Sequence, residues 1–378
     1  MRIIHTADWH LGKTLKSQPL LDDQIYILDE LLKLIDDTKP DAVIIAGDVY
    51  DRSIPPVDAV VLFDETVYKI ISRKISVLCI SGNHDGAARM NFGSRLFERE
   101  NFFLTTKPSA NPAPVVLSDE FGEVYFTLIP FFVPADVKNI FAQDFNDANK
   151  FYVDEARKKI PAGKRSVAVA HLFVTGGVTS ESEHKLVGGI GSVDAQIFSA
   201  FNYTALGHLH KPQTMKKTGW VVRYSGSLLK YSFDESTQAK GATLVEISGV
   251  GEVSFEHIDL KPRRDVRVVE DTLANLRGAE YTTDYIHANL TDKNYALYAM
   301  DKLRNGAFPN ILSLSFVNLE RAEETPASKN RRGADVSTLE YFADFYKHET
   351  GGELEGEYRA TMENFLAELE RESYGGRL

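Results

Sequence analysis

Five polar clusters along the chain combine side chains that bind metal ions or carry protons, and each cluster follows a short apolar run. They are Asp8 with His10, Asp48 alone, Asn83 with His84, His171 alone, and His208 with His210. One such cluster is weak evidence, since a polar turn often ends a strand. Five in one chain indicate a shared site, because binding and catalytic residues are concentrated on the loops at strand ends.

The residue types define the chemistry that such a site could perform. Mixed carboxylate and imidazole ligands suit Mn, Fe or Zn, and one carboxylate shared by two ions can hold them about 3.5 to 4 Å apart. Asp48 is the natural shared ligand, because it lies at the end of the middle strand. Two ions lower the pKa of a bound water and neutralise charge on a phosphoryl oxygen, so the predicted reaction is phosphoester hydrolysis. His84 would then donate a proton to the leaving oxygen or hold the phosphate in line.

Helices alternate with the strands that lead to the first three clusters. Apolar residues recur at helical spacing over residues 21–35, and a second helix is predicted between the strands at 43–46 and 77–80. The residues expected to face inward on that second helix are Val57, Val60, Val61, Val67 and Ile71. This alternation predicts parallel strand pairing, which would gather the clusters along one edge of the sheet.

The remaining clusters follow strands that are predicted farther along the chain. The strand at 167–170 leads to His171, and the strand at 204–206 leads to His208 and His210. An antiparallel sheet that completes a β-sandwich is predicted from the short alternating segments at 221–224, 242–247 and 253–258. The turn at 224–227 is either a plain Ser-Gly bend or a loop whose amides face a phosphate or brace the metal-binding loops.

The character of the chain changes after residue 260. Residues 1–260 form the predicted catalytic domain, 261–324 a small α/β domain, 325–335 a polar linker and 336–378 a helical segment. The apolar stripes of this last segment include Leu339, Phe342, Phe345, Phe365, Leu366 and Leu369. So short a segment cannot bury both stripes by itself. It either folds back on the main body or docks on a partner as helices in a groove.

Composition restricts the class of protein further. The chain of 378 residues is long enough for more than one domain, and its single cysteine, Cys79, excludes an internal disulfide and favours the reducing cytoplasm. No apolar run approaches the roughly 20 residues of a membrane helix, and no signal peptide is expected. The net charge of -11 argues against a surface that binds nucleic acid everywhere, although local cations can reverse the field. No P-loop pattern occurs, so no nucleotide is expected to bind this chain.

The order of the motifs D-x-H, G-D-x-x-D, G-N-H-D, H and G-H-x-H resembles that of the calcineurin-like metallophosphoesterases over residues 1–258. More narrowly, residues 4–13, 47–51 and 224–227 are similar to the bacterial branch formed by the SbcD family of nuclease subunits. The resemblance implies an α/β fold, a four-layer αββα sandwich, with residues 261–324 as a DNA-facing α/β cap domain. It also implies that the C-terminal helices, including the six apolar residues above, bind a partner.

Site residues follow from the resemblance by motif. It implies one metal site of Asp8, His10 and His210 and a second site of Asn83, His171 and His208, with Asp48 between them. It implies two Mn²⁺ ions, with Mg²⁺, Fe²⁺ or Zn²⁺ as other options, and it assigns catalysis to His84. Asp51 is the second catalytic candidate, but relatives outside the bacterial branch have a histidine there. Asp51 either positions His84 electrostatically or caps its loop.

The activity that the resemblance implies is hydrolysis of DNA, as an exonuclease on duplex ends and an endonuclease on hairpins and single strands. The implied assembly is a homodimer within a heterotetramer that contains an SbcC-type ABC ATPase, acting in cytoplasmic DNA repair and recombination. Lys13 and Arg89 are the candidate DNA contacts, against the simpler interpretation of solvated surface charge. Two other functions stay open: hydrolysis of a small phosphoester or phosphoprotein, and a non-catalytic scaffold.

Overall fold

The computed structural model describes residues 1–109, 111–137, 144–183, 191–216, 219–294, 296–318, 337–350 and 352–375. The chain divides into two compact units, Met1–Asn318 and Leu319–Leu378. The predicted linker at 325–335 lies outside the described residues.

Seventeen strands and nine α-helices are present in the described ranges. The strands are β1 (Arg2–Thr6), β2 (Thr14–Leu15), β3 (Gln18–Pro19), β4 (Ala42–Ala46), β5 (Ser76–Ile80), β6 (Phe102–Thr105), β7 (Val115–Asp119), β8 (Gly122–Ile129), β9 (Arg165–His171), β10 (Tyr203–Gly207), β11 (Gln213–Lys216), β12 (Val221–Tyr224), β13 (Gly241–Ile247), β14 (Val253–Asp259), β15 (Val266–Asp271), β16 (Tyr285–Leu290) and β17 (Ile311–Phe316). The helices are α1 (Leu21–Thr38), α2 (Val57–Ile71), α3 (Ala87–Met90), α4 (Ser94–Phe97), α5 (Phe145–Arg157), α6 (Leu273–Arg277), α7 (Ala299–Arg304), α8 (Thr338–Thr350) and α9 (Gly356–Gly375).

Two six-stranded sheets form the body of the first unit. The first sheet has the order β14-β13-β1-β4-β5-β6 and the second has the order β11-β12-β10-β9-β8-β7. Strands β1, β4, β5 and β6 are parallel, as predicted for the first three of them. Strands β8, β9, β10 and β12 are parallel in the second sheet. All five strands that precede the polar clusters therefore lie in the parallel parts of the two sheets.

The prediction that residues 221–224 pair with the two following strands was wrong. Strand β12 pairs in parallel with β10 in the second sheet, whereas β13 pairs antiparallel with β1 in the first. All four residues of β12 are buried. A strand covered on both faces is typical of the interior of a parallel sheet, and four residues are too few for their alternation to show this.

Three apolar cores separate four layers, so the predicted αββα sandwich is confirmed. One core lies between the sheets and includes Ile44 and Val169; another packs α1 and α2 on the first sheet, and the third packs α5 on the second. The inward face predicted for α2 was partly wrong. Val57, Val60 and Val61 are 76%, 42% and 49% exposed. The buried residues of α2 are Ala59, Leu62, Phe63, Thr66, Val67 and Ile70, which keep helical spacing on a neighbouring stripe.

The first unit ends in a small α/β subdomain. Strands β15, β16 and β17 form a three-stranded parallel sheet, and α6 and α7 share an apolar core with it. The α/β character predicted for this region is confirmed. Asp23 of α1 joins the subdomain to the sandwich: it accepts a bidentate ion pair from Arg264, both contacts at 2.8 Å, and a hydrogen bond from the Tyr285 hydroxyl at 2.8 Å.

The second unit contains the two predicted C-terminal helices, α8 and α9. Tyr346 of α8 and Tyr358 of α9 are in ring contact, with centroids 6.2 Å apart. Phe345 and Phe365 are exposed within this unit, whereas Leu339, Phe342 and Leu366 are half-buried, and the side chain of Leu369 lies outside the described set. Among the described residues, no helix combines the length and the apolar character needed to cross a bilayer.

Candidate metal centre

The loops that follow β1, β4 and β10 are held in conformations that place polar side chains together. Asp8, His10, Asp48 and His208 all adopt positive φ angles, of 54°, 44°, 47° and 105°. Such backbone costs about 1 to 3 kcal/mol per residue and persists where the surroundings enforce it, often at functional sites. Here the amides of Asp8 and His10 donate to the carbonyls of Gly47 and Asp48, each at 3.0 Å, and so join the first two loops.

Asp8, His10 and His210 form what we call the first ligand group. Their ligand atoms lie within 4.8 Å of one another, and all three residues are buried. The Nε2 atoms of His10 and His210 are only 3.0 Å apart. The Asp8 carboxylate accepts the backbone N–H of His208 at 2.9 Å, which ties it to the loop after β10.

Asn83, His171 and His208 form the second ligand group. The Asn83 Oδ1 atom lies 3.0 Å from His171 Nε2 and 3.0 Å from His208 Nδ1. His171 donates its other ring N–H, on Nδ1, to the carbonyl of Ala46 at 2.9 Å. This hydrogen bond fixes the ring and directs Nε2 into the centre.

Asp48 lies between the two ligand groups. Its Oδ2 atom is 3.3 Å from His171 Nε2 in the second group and 3.7 Å from His10 Nε2 in the first. Oδ1 accepts the backbone N–H of His84 at 2.9 Å, which orients the carboxylate. One carboxylate thus faces both sets of ligand atoms, as is required of a ligand that two metal ions share.

The donor set fits divalent metal ions. Ligands at about 2.1 Å from one octahedral ion are themselves about 3 Å apart, and the closest contacts within the two groups have this length. Burial lowers the pKa of both His10 and His208 to about 3, so these imidazoles are neutral and present lone pairs. Burial, together with the charge of Asp48, raises the pKa of Asp8 to about 8. Against burial, Asp48 raises the pKa of His171 to about 9, so a bound cation would displace protons here.

His84 lies beside both groups. Its Nδ1 donates to the backbone carbonyl of Asp51 at 2.8 Å, and its Nε2 is 4.0 Å from Asp48 Oδ2. Its ring meets that of His10 edge to face, with centroids 4.7 Å apart. The hydrogen bond at Nδ1 therefore directs Nε2 toward the centre, where it could carry a proton to or from a substrate.

Asp51 contacts His84 through its backbone, whereas its carboxylate points elsewhere. Oδ1 is 2.7 Å from Lys13 Nζ and 3.5 Å from Nδ1 of His10. Against the effect of burial, these contacts lower the pKa of Asp51 well below its usual range. The backbone carbonyl of Asp51 thus holds His84, and its carboxylate faces His10. Lys13, a candidate DNA contact, is nearly buried beside it, whereas Arg89 is exposed on α3.

Asp85 holds the loop that carries Asn83 and His84. Its carboxylate accepts the backbone N–H groups of Gly82 at 2.8 Å, Tyr50 at 2.9 Å and Val49 at 3.2 Å, and so joins the loops after β4 and β5. Gly82 is required at this junction, because a Cβ there would lie 2.1 Å from Asp48 Oδ1.

The turn at residues 224–227 braces the loop that carries His210. The Ser227 N–H donates to the His210 carbonyl at 3.1 Å. Gly226 has a φ of +77°, and a Cβ on it would lie 2.7 Å from the same carbonyl oxygen. Of the alternatives that the sequence left open for this turn, the contacts favour bracing.

A buried charged cluster behind His210 was missed by the sequence analysis. Glu235, Lys240 and Glu183 are 0%, 6% and 8% exposed. Glu235 Oε1 lies 3.3 Å from His210 Nδ1, and Glu183 Oε1 accepts the His210 backbone N–H at 2.6 Å. No motif marks these residues, because Glu235 ends a three-residue 3₁₀ helix, the other two lie in loops, and their spacing from the ligands is arbitrary. Only the fold brings them together.

The fold and this centre are typical of a metallophosphoesterase, and comparison with known proteins confirms this class. The family model described as calcineurin-like phosphoesterase matches residues 1–212, and the chain belongs to that family. Within it, the chain is 36% identical over 364 residues to the SbcD subunit of the nuclease SbcCD from Staphylococcus epidermidis, with 94% of this chain and 95% of the relative covered. The predicted resemblance to the SbcD branch is confirmed.

Two solved structures have more distant similarity. The protein TT1561 of Thermus thermophilus is 10% identical with a TM-score of 0.41, covering 68% of this chain and 98% of its own. A dimetal phosphatase from Danio rerio is 11% identical with a TM-score of 0.40, covering 69% of this chain and 99% of its own.

Proposed function

We propose that this chain is a two-metal DNA nuclease subunit that works with an SbcC-type ABC ATPase in DNA repair and recombination. The observation that carries the proposal is the convergence of two ligand groups on Asp48, with His84 directed at the same point. The name of the Staphylococcus epidermidis relative, a nuclease subunit of SbcCD, supports DNA as the substrate and SbcC as the partner. The proposed location is the cytoplasm.

The two ligand groups would hold two divalent ions, for which we propose Mn²⁺, with Mg²⁺, Fe²⁺ or Zn²⁺ as alternatives. When bound, such ions activate a water and neutralise charge on the phosphoryl oxygens. Asp8, His10 and His210 would hold one ion, and Asn83, His171 and His208 would hold the other. Asp48 contacts both sets of ligand atoms and fixes their spacing.

His84 is the proposed proton donor for the leaving oxygen. The Asp51 carbonyl accepts its Nδ1–H, so the proton that moves is the one on Nε2. The Asp48 carboxylate lies 4.0 Å from Nε2, so this nitrogen faces the side chain that lies between the two ligand groups. The carboxylate of Asp51 acts on His10 in the proposed centre and has no direct part in proton transfer.

The substitution His84→Gln tests this assignment. We expect DNA cleavage by the full-length chain to fall about 10²- to 10⁴-fold, the usual contribution of one proton-transfer group, with both ions retained. A labelled DNA hairpin with Mn²⁺ measures cleavage, and elemental analysis measures metal content. His257→Gln on β14, a strand that supplies no residue to the centre, is the matched control.

Three outcomes would contradict these assignments. Loss of metal from the His84→Gln chain would make His84 a ligand. Cleavage of a small phosphoester or a phosphoprotein by the wild-type chain, with no release of nucleotides from DNA, would favour that alternative function. A wild-type chain with both ions bound and no hydrolysis of any phosphoester would favour a scaffold.

The proposed partner site is on α8 and α9. Phe345 and Phe365 are 60% and 53% exposed within their unit. Exposed apolar side chains on a helix suit binding in an apolar groove of a partner. Deleting residues 336–378 is expected to abolish co-purification with an SbcC-type ATPase while Mn²⁺-dependent cleavage persists. Retained co-purification would exclude this site.

We also propose that two such chains pair within a heterotetramer, and that Lys13 and Arg89 lie near the DNA path.

A further inference from the structure

A buried acid–lysine pair lies directly behind His210 and has no part in the reaction proposed above. Glu235 Oε2 is 2.5 Å from Lys240 Nζ, and their side chains are 0% and 4% exposed. An ion pair buried in this way usually adds no net stability over two apolar residues of similar volume, because both charges lose their hydration. Stability alone therefore does not account for the pair.

The contacts of the His210 ring indicate what the pair does. Nδ1 is 2.7 Å from the hydroxyl of Ser182 and 3.3 Å from Oε1 of Glu235, and the Ser182 hydroxyl donates to the same carboxylate oxygen. A carboxylate accepts hydrogen bonds and cannot donate them when ionised. The ring therefore carries its proton on Nδ1, directed at Ser182 and Glu235, and turns the lone pair of Nε2 toward His10.

Lys240 ties this arrangement to the backbone. Its Nζ donates to the carbonyl of His210 itself at 2.8 Å, as well as to Ser227 Oγ at 3.0 Å and Gln238 Oε1 at 2.9 Å. One ammonium group thus holds both the carboxylate behind the ring and the main chain that carries the ring. The position and the tautomer of His210 are fixed together.

We propose that Glu235 is a positioning residue that fixes His210 as a ligand through its Nδ1 proton, and that Lys240 holds Glu235 in place. Partners of this kind raise the basicity of a ligating imidazole, and their loss typically weakens metal binding 10- to 100-fold. The effect is confined to the first ligand group, since neither Glu235 nor Lys240 contacts Asn83, His171 or His208 through any hydrogen bond in the described part of the chain. The inference rests on the two-metal centre of the proposed function.

The main test compares Mn²⁺ binding by the full-length wild-type chain and by the double variant Glu235→Leu with Lys240→Met, using calorimetric titration of the metal-free protein. The double variant removes both charges and keeps a similar volume, so we expect it to fold. We expect one of two ions to bind 10- to 100-fold more weakly and the other to bind as in the wild type. The matched control is Asp119→Leu with Arg165→Met, another nearly buried ion pair, whose closest contact of 2.5 Å joins β7 to β9.

A second measurement reports the tautomer without metal. Nitrogen chemical shifts of ¹⁵N-histidine-labelled, metal-free protein distinguish a ring protonated on Nδ1 from one protonated on Nε2, and His210→Asn assigns the signal. The isosteric single variant Glu235→Gln keeps the shape and one acceptor oxygen, so we expect the Nδ1–H form of His210 to decrease and one ion to bind about 10-fold more weakly.

The outcomes separate this inference from the function on which it rests. A wild-type chain that binds no divalent ion would overturn the two-metal centre. If the wild type binds two ions and both Glu235 variants bind them equally tightly, with the His210 tautomer unchanged, Glu235 has no positioning role. If the Asp119→Leu, Arg165→Met control also weakened the binding of one ion and left the other unchanged, the inference would be overturned, because any buried ion pair would then have the same effect.

Discussion

The two ligand groups differ in what lies behind their imidazoles. In the first group, Nδ1 of His10 faces the carboxylate of Asp51, and Nδ1 of His210 faces that of Glu235. Each carboxylate is itself paired with a lysine, Lys13 or Lys240. In the second group, His171 donates its Nδ1–H to the backbone carbonyl of Ala46 at 2.9 Å, and the nearest carboxylate, that of Asp8, is farther away, at 3.9 Å from the same nitrogen.

This difference separates two ways of fixing a histidine ligand. A backbone carbonyl orients the ring at no cost in buried charge, because the strand already places it there. A carboxylate orients the ring and also makes its other nitrogen more basic, but it must be buried and neutralised by a cation. We therefore expect the first ligand group to bind its ion more tightly than the second.

The largest effect is expected from Asp48→Asn, because one oxygen of Asp48 lies close to histidine ligands of both groups. An amide offers one neutral oxygen in place of a shared carboxylate, so both ions should bind more weakly and the difference between the groups should shrink. We expect cleavage of a DNA hairpin to fall by more than the ~10²- to 10⁴-fold of a proton-transfer residue. Metal titration and a cleavage assay measure this. Loss of a single ion would show that Asp48 belongs to one group only.

A smaller and more selective effect is expected from Asp51→Asn. The variant keeps the backbone carbonyl that holds His84 and removes the charge that faces His10. The ion of the first ligand group should bind 10- to 100-fold more weakly, and the affinity of the second group for its ion should not change. The two affinities would then be similar. Calorimetric titration checks this, with Asp58→Asn on the exposed face of α2 as the control. Weakening of the second ion alone would reverse the comparison.

The second group was easier to predict from the sequence than the environment of the first. Asn83, His171 and His208 each follow a recognisable apolar strand. The backbone partner of His171 is Ala46 of β4, in the opposite sheet, so that contact comes from the packing of the two sheets. Glu235 and Lys240 belong to a segment without periodicity, so nothing in their order in the chain relates them to His210. The prediction of the inward face of α2 was partly wrong for a related reason. A helix rich in valine has more than one apolar stripe, and only packing decides which stripe is buried.

The smallest effect is expected from Tyr285→Phe, which tests whether buried charge clusters affect the metal centre only when they contact a ligand. Asp23 is 2% exposed and accepts from both Arg264 and Tyr285, at the junction of the sandwich with the small subdomain. Removing the hydroxyl leaves the Arg264 ion pair in place, so the loss should be about 1 kcal/mol in the free energy of unfolding. Urea unfolding measures it, with Tyr281→Phe at an exposed position as the control. Neither ion should bind differently, since no hydrogen bond among the described residues joins Asp23, Arg264 or Tyr285 to an imidazole of either group. A change in metal affinity would mean that the two groups depend on the whole sandwich rather than on the partners behind each ring.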